Sequence, residues 1–329
     1  RRKEAKTEWD FYITELESEP ISNYLKSLFE DENPITQFFN NTSAKAKIKN
    51  MHVSLTKDKL AWQPLTFELD YSDLSINAYE SIPDLKKISG SVGYSNSAGT
   101  LTLNSEDTEL MLPDLFRHSI QATSLSAVTR WNLDETQQIK FDIDSFKLRN
   151  KDFSLVASGA VQQIDGLTTL NLYTELHEAA VANKSLYLPV GVMTDDLVSY
   201  LDSSIKTGTL SIAKSIVRGP VSKFPFDSVD GIFVAHGEVK DASYQYLPDW
   251  PIANSLDASL MFEGSMMDII ASSGESLGNS VSFARAYSSD LSKDNSLLEL
   301  SLNANSQDNS GKEFIKQTPL GFLYDAIKD

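Results

Sequence analysis

Residues 256–263 read LDASLMFE, and Leu256, Ala258, Leu260 and Phe262 occupy every second position. Successive side chains of a β-strand point to opposite faces of the sheet, so an apolar period of two indicates a strand with one apolar face. This stretch therefore predicts a β-strand whose second face is polar.

The same alternation recurs along most of the chain. It is clear in residues 139–143, where Ile139, Phe141 and Ile143 alternate with Lys140 and Asp142. Turn-rich stretches, such as residues 95–99, 132–136 and 272–279, separate the apolar runs. We count roughly 14 such runs, which predicts antiparallel meanders with one apolar face.

Three short helices are predicted to interrupt the strands. The first covers about residues 21–40. The second begins after Thr194, a suitable N-cap, and is predicted to end near Gly208, because glycine favours helix C-termini. The third covers about residues 318–329.

Several of these features recur in the same order. Pro83 and Pro251, for example, lie 168 positions apart, and each precedes a similar apolar run. We predict one helix-plus-strands repeat over residues 1–193, a second over 194–312 and the start of a third over 313–329. Because the chain begins with Arg1, we expect it to be an interior fragment of a longer protein.

Composition narrows the possible functions. The 329 residues include 29 Lys and Arg against 46 Asp and Glu, a net charge of −17, which argues against nucleic acid as a partner. Cysteine is absent, which excludes disulfides and thiol chemistry. There is no run of about 18 apolar residues that would indicate a membrane-spanning helix.

Residues that would support catalysis are sparse. The four histidines, His52, His118, His177 and His236, are not spaced as metal ligands, and phosphate-binding and nucleophile-elbow motifs are absent. The sequence therefore predicts neither an enzyme nor a bound metal or cofactor.

The apolar face has two structural interpretations. It is either the interior of a β-sandwich or barrel, or the lining of an open groove in one long, curved sheet. About 14 strands at ~4.8 Å spacing would extend roughly 65 Å, more than three short helices can cover. An acyl chain suits such a groove, since each buried methylene contributes ~0.8 kcal/mol. A further alternative for the function is glycan binding, in which exposed aromatic residues such as Trp131 and Trp250 would stack on sugars.

Two segments resemble a known family. The first is Leu186-Tyr187-Leu188-Pro189 followed by Met193, Leu197, Tyr200, Leu201 and Gly208. The second runs from Gly219 through Phe224-Pro225-Phe226, Gly231 and Phe233 to residues 246–251, YLPDWP. Together with Ile82-Pro83-Asp84-Leu85, they resemble the YhdP family of large AsmA-like proteins in Gram-negative bacteria.

The resemblance implies an elongated, taco-like β-groove with an apolar lining, anchored in the inner membrane and projecting through the periplasm. It also implies a non-enzymatic role in carrying phospholipid acyl chains towards the outer membrane, whose barrier it would support. The alternative is an envelope scaffold or assembly factor that binds proteins.

The resemblance supplies a predicted lining rather than an active site, although each residue is equally compatible with ordinary packing. The predicted lining consists of Val92, Tyr94, Leu101, Leu103, Ile139, Phe141, Ile143, Leu256, Leu260, Phe262, Met267, Ile269, Leu298, Leu300 and Leu302.

Overall fold

The structure is a computed structural model. It describes residues 7–17, 37, 40–58, 61–79, 82–95, 97–133, 139–164, 166–226, 230–293, 296–307 and 309–327.

Within the described residues, fifteen strands form one open sheet in which the strand order follows the chain order. Every strand pair whose register is resolved is antiparallel, as expected where short turns connect neighbouring strands. The strands are β1 Thr7–Glu17, β2 Lys45–Asp58, β3 Ala61–Ile76, β4 Asp84–Ser95, β5 Ala98–Met111, β6 Ile120–Leu133, β7 Ile139–Arg149, β8 Ser154–Ile164, β9 Leu167–Ala180, β10 Ile205–Pro220, β11 Ile232–Tyr244, β12 Ala253–Glu263, β13 Met266–Ser276, β14 Asn279–Ser288 and β15 Glu299–Ser306.

The prediction of a mainly β, antiparallel sheet that does not close on itself is confirmed. All strands of the described ranges belong to this one sheet, so the alternative of two sheets in a sandwich is wrong. Residues 272–276, predicted as a turn-rich break, instead continue strand β13, and the turn is confined to residues 277–278.

The described helices are short. Helix α1 spans Asp195–Ser204, helix α2 spans Ser310–Lys316, and 3₁₀ helices span Val181–Leu186, Val190–Val192, Val221–Lys223 and Pro319–Ile327. No described helix has the length and apolarity needed to span a membrane.

The structure bears on the three predicted helices to different extents. Thr194 is confirmed as the N-cap of α1, where its side chain accepts a hydrogen bond from the Leu197 N–H. The helix ends at Ser204 rather than near Gly208, because strand β10 begins at Ile205 and Gly208 lies within it. The third helix is 3₁₀ and follows α2, which was not predicted. Most of residues 21–40 lie outside the described residues, although Gln37 and Asn40 are helical.

The chain divides into two compact units. The first comprises Arg1–Lys151 and Val156–Gly166, and the second comprises Asp152–Leu155 and Leu167–Asp329. Compact units need not coincide with sequence repeats, so the repeat boundary predicted at residue 193 stays a prediction.

A line of bends crosses neighbouring strands of the first unit. Asn50, Asp73, Lys87 and Asp107, on β2 to β5, all have positive φ angles between 49° and 57°. The first three coincide with breaks in the pairing register. Because a β-bulge bends its strand, bulges on adjacent strands produce a crease in the sheet.

The core of the first unit lies beside this crease. Ile88, Leu125 and Leu148 are only 0%, 1% and 4% exposed. A bend in a sheet brings apolar side chains on its inner face together, which explains why burial concentrates there. The second unit has a corresponding line of positive-φ residues on β9 to β12: Glu178, Gly208, Asp241 and Ser255.

Candidate functional site

The pairing register assembles one apolar face in the first unit. Directly paired residues of antiparallel strands point to the same side of a sheet, so each chain of pairs forms a row across the strands. The rows on this face are Phe67, Tyr94, Gly99, Trp131 and Phe141; Leu69, Val92, Leu101, Thr129 and Ile143; and Tyr71, Gly90, Leu103 and Ala127.

The second unit has an equivalent apolar face. It consists of three rows, and in the first two, small residues on β10, β11 and β14 flank large aliphatic and aromatic residues on β12 and β13. The rows are Leu176, Ala213, Gly237, Leu260, Ile269, Ala286 and Leu300; Thr174, Ser215, Ala235, Phe262, Met267 and Ser288; and Leu210, Val239, Ala258, Ala271, Ala284 and Leu302. Thr174 and Ser215, the two hydroxyls at one end of a row, hydrogen-bond to each other at 2.7 Å.

Most of the predicted lining residues lie on these two faces, each within its own unit, but Leu298 lies outside the strands. Leu298 directly precedes β15, and Leu256 pairs with Ala242 beside a break in register. None of the fifteen is fully buried, and Leu300 and Leu302 are 50% and 51% exposed. The predicted lining residues are therefore partly accessible, whereas Tyr71, Ala127, Val239 and Ala271 on the same faces are buried. Exposure alone does not make the predicted residues a lipid lining.

Large side chains on these faces pack over glycines. A Cβ atom on Gly99 would lie 2.1 Å from Trp131 Cζ2, and one on Gly274 would lie 2.5 Å from Leu256 Cδ2. Tyr71 reaches across Gly90 and donates a hydrogen bond to the Thr102 carbonyl at 3.0 Å. Burial raises the pKa of this Tyr71 hydroxyl. The glycines thus let the bulky residues lie flat against the sheet.

Sequence reasoning missed several members of the faces. Phe67 and Leu69 belong to the same period-two pattern, since they alternate with Glu68 and Asp70. Trp131 was considered only for sugar stacking, under the glycan-binding alternative, whereas its ring covers Gly99 on the apolar face. Alternation in residues 66–71 would have identified Phe67 and Leu69, whereas the contact between Trp131 and Gly99 depends on register.

The opposite face of the sheet is charged. In the first unit, Arg130 donates two hydrogen bonds to Asp144, at 2.7 and 2.6 Å. This hydrogen-bonded pairing lowers the pKa of Asp144 and raises that of Arg130. In the second unit, Arg285 pairs in the same two-pronged way with Asp268, at 2.7 and 2.8 Å. The Arg130 pair is exposed and contributes little to stability, and the Arg285 pair is partly buried; both keep charged groups on this face.

A third charged group on this face centres on Glu175 of β9. It accepts a short hydrogen bond from the Tyr173 hydroxyl and lies 3.4 Å from Lys214 Nζ. The Tyr173 hydrogen bond is the main reason that the pKa of Glu175 is lowered. Within the part of the chain that the structure describes, no cluster of three or more His, Cys, Asp or Glu residues could hold a metal ion.

The segment between β9 and β10 is tied to the second unit by polar contacts. Buried Asp152 accepts hydrogen bonds from Asn183 Nδ2 at 2.9 Å and from the Tyr187 hydroxyl at 2.5 Å. Lys184 Nζ donates to the Ile205 carbonyl at 2.6 Å, at the C-terminal end of α1, and partial burial lowers the pKa of this lysine. These contacts fix the 3₁₀ segment and α1 at one end of the strands.

The aromatic residues near residues 224–226 and 250 have structural surroundings. Phe226 is buried, and Cβ atoms on Gly219 and Gly231 would both collide with its ring. Trp250 packs edge-on against Tyr246. Phe226 and Trp250 therefore pack within the connections that join β10 to β11 and β11 to β12.

A family model described as YhdP protein matches residues 1–327 of the chain. The chain belongs to the YhdP protein family. Within this family, the intermembrane phospholipid transporter YhdP of Escherichia coli (strain K12) is 24% identical over 199 residues, which are 60% of this chain. The match covers only 16% of that transporter's length. No solved structure matches the YhdP-family chain significantly.

Proposed function

We propose that this YhdP-family chain is a lipid conduit segment that binds phospholipid acyl chains along its two apolar faces. In this role it would act in the periplasm, as part of an inner-membrane-anchored protein, and without catalysis. It would help to move phospholipid between the inner and outer membranes and so support the outer-membrane barrier. Partners beyond lipid, including envelope proteins, belong to the same proposal.

The observation that carries the proposal is the division of the sheet into two unlike faces. The rows around Leu101 and Leu260 contain no charged residue, yet their predicted lining residues are only partly buried. Large accessible apolar surfaces in proteins usually mark a binding site. The matched relative is named as a phospholipid transporter, which favours lipid over a protein partner.

The energetics suit an acyl chain. Each buried methylene contributes ~0.8 kcal/mol, so a 16-carbon tail transferred from water would gain on the order of 12 kcal/mol. The charged opposite face would remain in water and would not compete for the tail. A headgroup would stay hydrated where the face is open.

Site-specific photo-crosslinking tests the proposal with a matched pair on one strand. Leu260 and Met261 are neighbours on β12, but Leu260 lies on the apolar face and Met261, 36% exposed, lies on the opposite face. A photo-reactive residue at position 260 should capture co-purified phospholipid, whereas one at 261 should not. Equal capture at both positions, or no lipid at either by native mass spectrometry, would refute the proposal.

The scaffold alternative would appear in the same experiment. It predicts protein adducts at position 261 or along the edge strands, with no lipid adduct at position 260. Neither the geometry nor the comparisons favour it.

A further inference from the structure

The first unit has a second concave surface, on the side of the sheet away from the apolar face. It is a cavity of about 640 Å³, within the range of small-molecule sites. Two rows of paired residues supply most of its lining: Glu68, Gly93, Thr100, Arg130 and Asp142, and Thr66, Ser95, Ala98 and Asn132. Phe67, Tyr94, Gly99 and Trp131, which lie between these residues along the strands, also border it. We call this surface the polar pocket.

The floor of the polar pocket is low because its residues are small. Gly93 and Thr100 occupy the centre, on β4 and β5, and Ala98 lies beside them. The walls rise on the strands to either side, with Glu68 on β3 and Arg130 on β6. Three strand spacings separate these walls, which is about 14 Å.

Gly93 has no structural requirement for glycine. A Cβ atom there would meet nothing closer than the Phe67 carbonyl oxygen at 4.0 Å, and its φ is not positive. By contrast, a Cβ atom on Gly90, three residues earlier, would lie 1.9 Å from the Thr102 carbonyl oxygen. Glycine within a strand costs about 0.5–1 kcal/mol relative to alanine. A strand glycine beneath open space is typical of a site where a ligand approaches the backbone closely.

Each wall of the pocket combines an acid with a base. On one side, Glu68 Oε1 lies 3.7 Å from His52 Nδ1, and the His52 ring stacks on Tyr12 at 4.2 Å with an interplanar angle of 7°. On the other side, Arg130 lies opposite Asp142. Asp10 Oδ1 also lies 3.3 Å from His52 Nε2, so the Glu68 wall is acidic. On the other wall, Arg130 and Lys140 balance Asp144 and Asp142, so a simple anion is disfavoured in the pocket.

The wall side chains are also planar hydrogen-bonding groups. A guanidinium has five N–H donors, of which Asp144 takes two from Arg130. Glu68 presents a carboxylate that is 73% exposed, and Asn132 presents an amide that both donates and accepts. Such groups pair with neighbouring hydroxyls of a polyol, each of which donates and accepts a hydrogen bond. The flat Tyr12–His52 stack offers a surface for the apolar C–H side of a sugar ring.

We propose that the polar pocket binds a saccharide of one or two rings. This site is centred on the polar rows of the sheet, and the proposal does not depend on lipid binding. It would give the segment a contact with carbohydrate on the hydrated side of its sheet.

Saturation-transfer NMR on the whole chain tests this proposal. The probes are N,N′-diacetylchitobiose and maltose, with phosphorylethanolamine as a zwitterionic comparison. We expect saturable binding of at least one disaccharide, weakened at least tenfold by Gly93→Leu, which would fill the floor. Thr100→Val, which keeps the shape but removes a hydroxyl, should weaken it severalfold.

Ser124→Leu is the matched control. Ser124 is exposed on the same polar face, on β6, outside the pocket, so this variant should change affinity less than twofold. If Gly93→Leu does not fold, Gly93→Ala replaces it, because its Cβ atom meets open space. Three results would overturn the proposal: no saturable binding of either disaccharide, equal affinity in the Gly93 variant, or binding of phosphorylethanolamine alone.

Discussion

Gly90 and Gly93 lie three residues apart on β4, and the same substitution should have opposite effects at the two positions. Gly90 belongs to the apolar face, where an added Cβ atom would lie 1.9 Å from the Thr102 carbonyl oxygen and 2.8 Å from the Tyr71 hydroxyl. Gly93 belongs to the polar face, where an added Cβ atom meets only one atom, at 4.0 Å. Replacing each glycine with alanine adds one methyl group and therefore tests how tightly each face is packed.

The magnitude follows from the two contacts at Gly90. Overpacking costs about 1–3 kcal/mol where strands must shift, and the displaced Tyr71 hydroxyl would lose its hydrogen bond at a cost of about 1–3 kcal/mol. Gly90→Ala should thus destabilise by about 2–6 kcal/mol. Gly93→Ala should be neutral or should stabilise by up to about 1 kcal/mol, because it restricts the unfolded chain without a clash.

Equilibrium urea denaturation measures both values, and a double-mutant cycle checks the cause. Tyr71→Phe removes the hydroxyl alone and should cost about 1 kcal/mol in the wild-type background. In the Gly90→Ala background it should cost much less, since the hydrogen bond is already lost. The reasoning is refuted if Gly90→Ala unfolds at the wild-type urea concentration, or if Gly93→Ala is the more damaging of the two.

Three further predictions use other contacts. Asp152→Ala should destabilise by about 2–4 kcal/mol in denaturation, since it removes a buried acceptor from the partly buried donors of Asn183 and Tyr187. A loss below about 0.5 kcal/mol, on the order of a surface change, contradicts this. The Asp290 carboxyl, bonded to Lys293 and to the backbone and hydroxyl of Ser292, should titrate by NMR with a pKa of about 2. Because the pKa of Asp290 is lower in the folded than in the unfolded state, its ionised carboxylate stabilises the fold above the ordinary aspartate pKa. This stabilisation is lost as the pH falls towards 2. Lys293→Met should raise the pKa of Asp290. Finally, Leu260→Asp should abolish lipid co-purification, whereas Met261→Asp should retain it. Circular dichroism should show that both variants fold. Equal lipid content in the two variants would contradict the assignment of faces.

The predicted strands and their apolar faces follow from local pattern. The alternation around Phe141, Leu260 and Leu300 predicts both the strand and the face that each side chain occupies, because the two-residue period is a property of the extended backbone itself. Thr194 is likewise a local signal, since an N-cap bonds within its own first turn. The end of α1 was not predictable from Gly208, because pairing of Ile205 and Thr207 with β11 overrides the local preference of glycine.

Sequence alone thus determined that the chain consists mainly of β-strands, each with one apolar face and one polar or charged face. Only the tertiary structure decided which strands are neighbours, that all fifteen join one open sheet, and that Trp131 covers Gly99 while Gly93 lies beneath open space. The physical reason is that strand pairing and bulges join residues far apart in the chain, so their effect depends on register, which the two-residue period of any single strand does not specify.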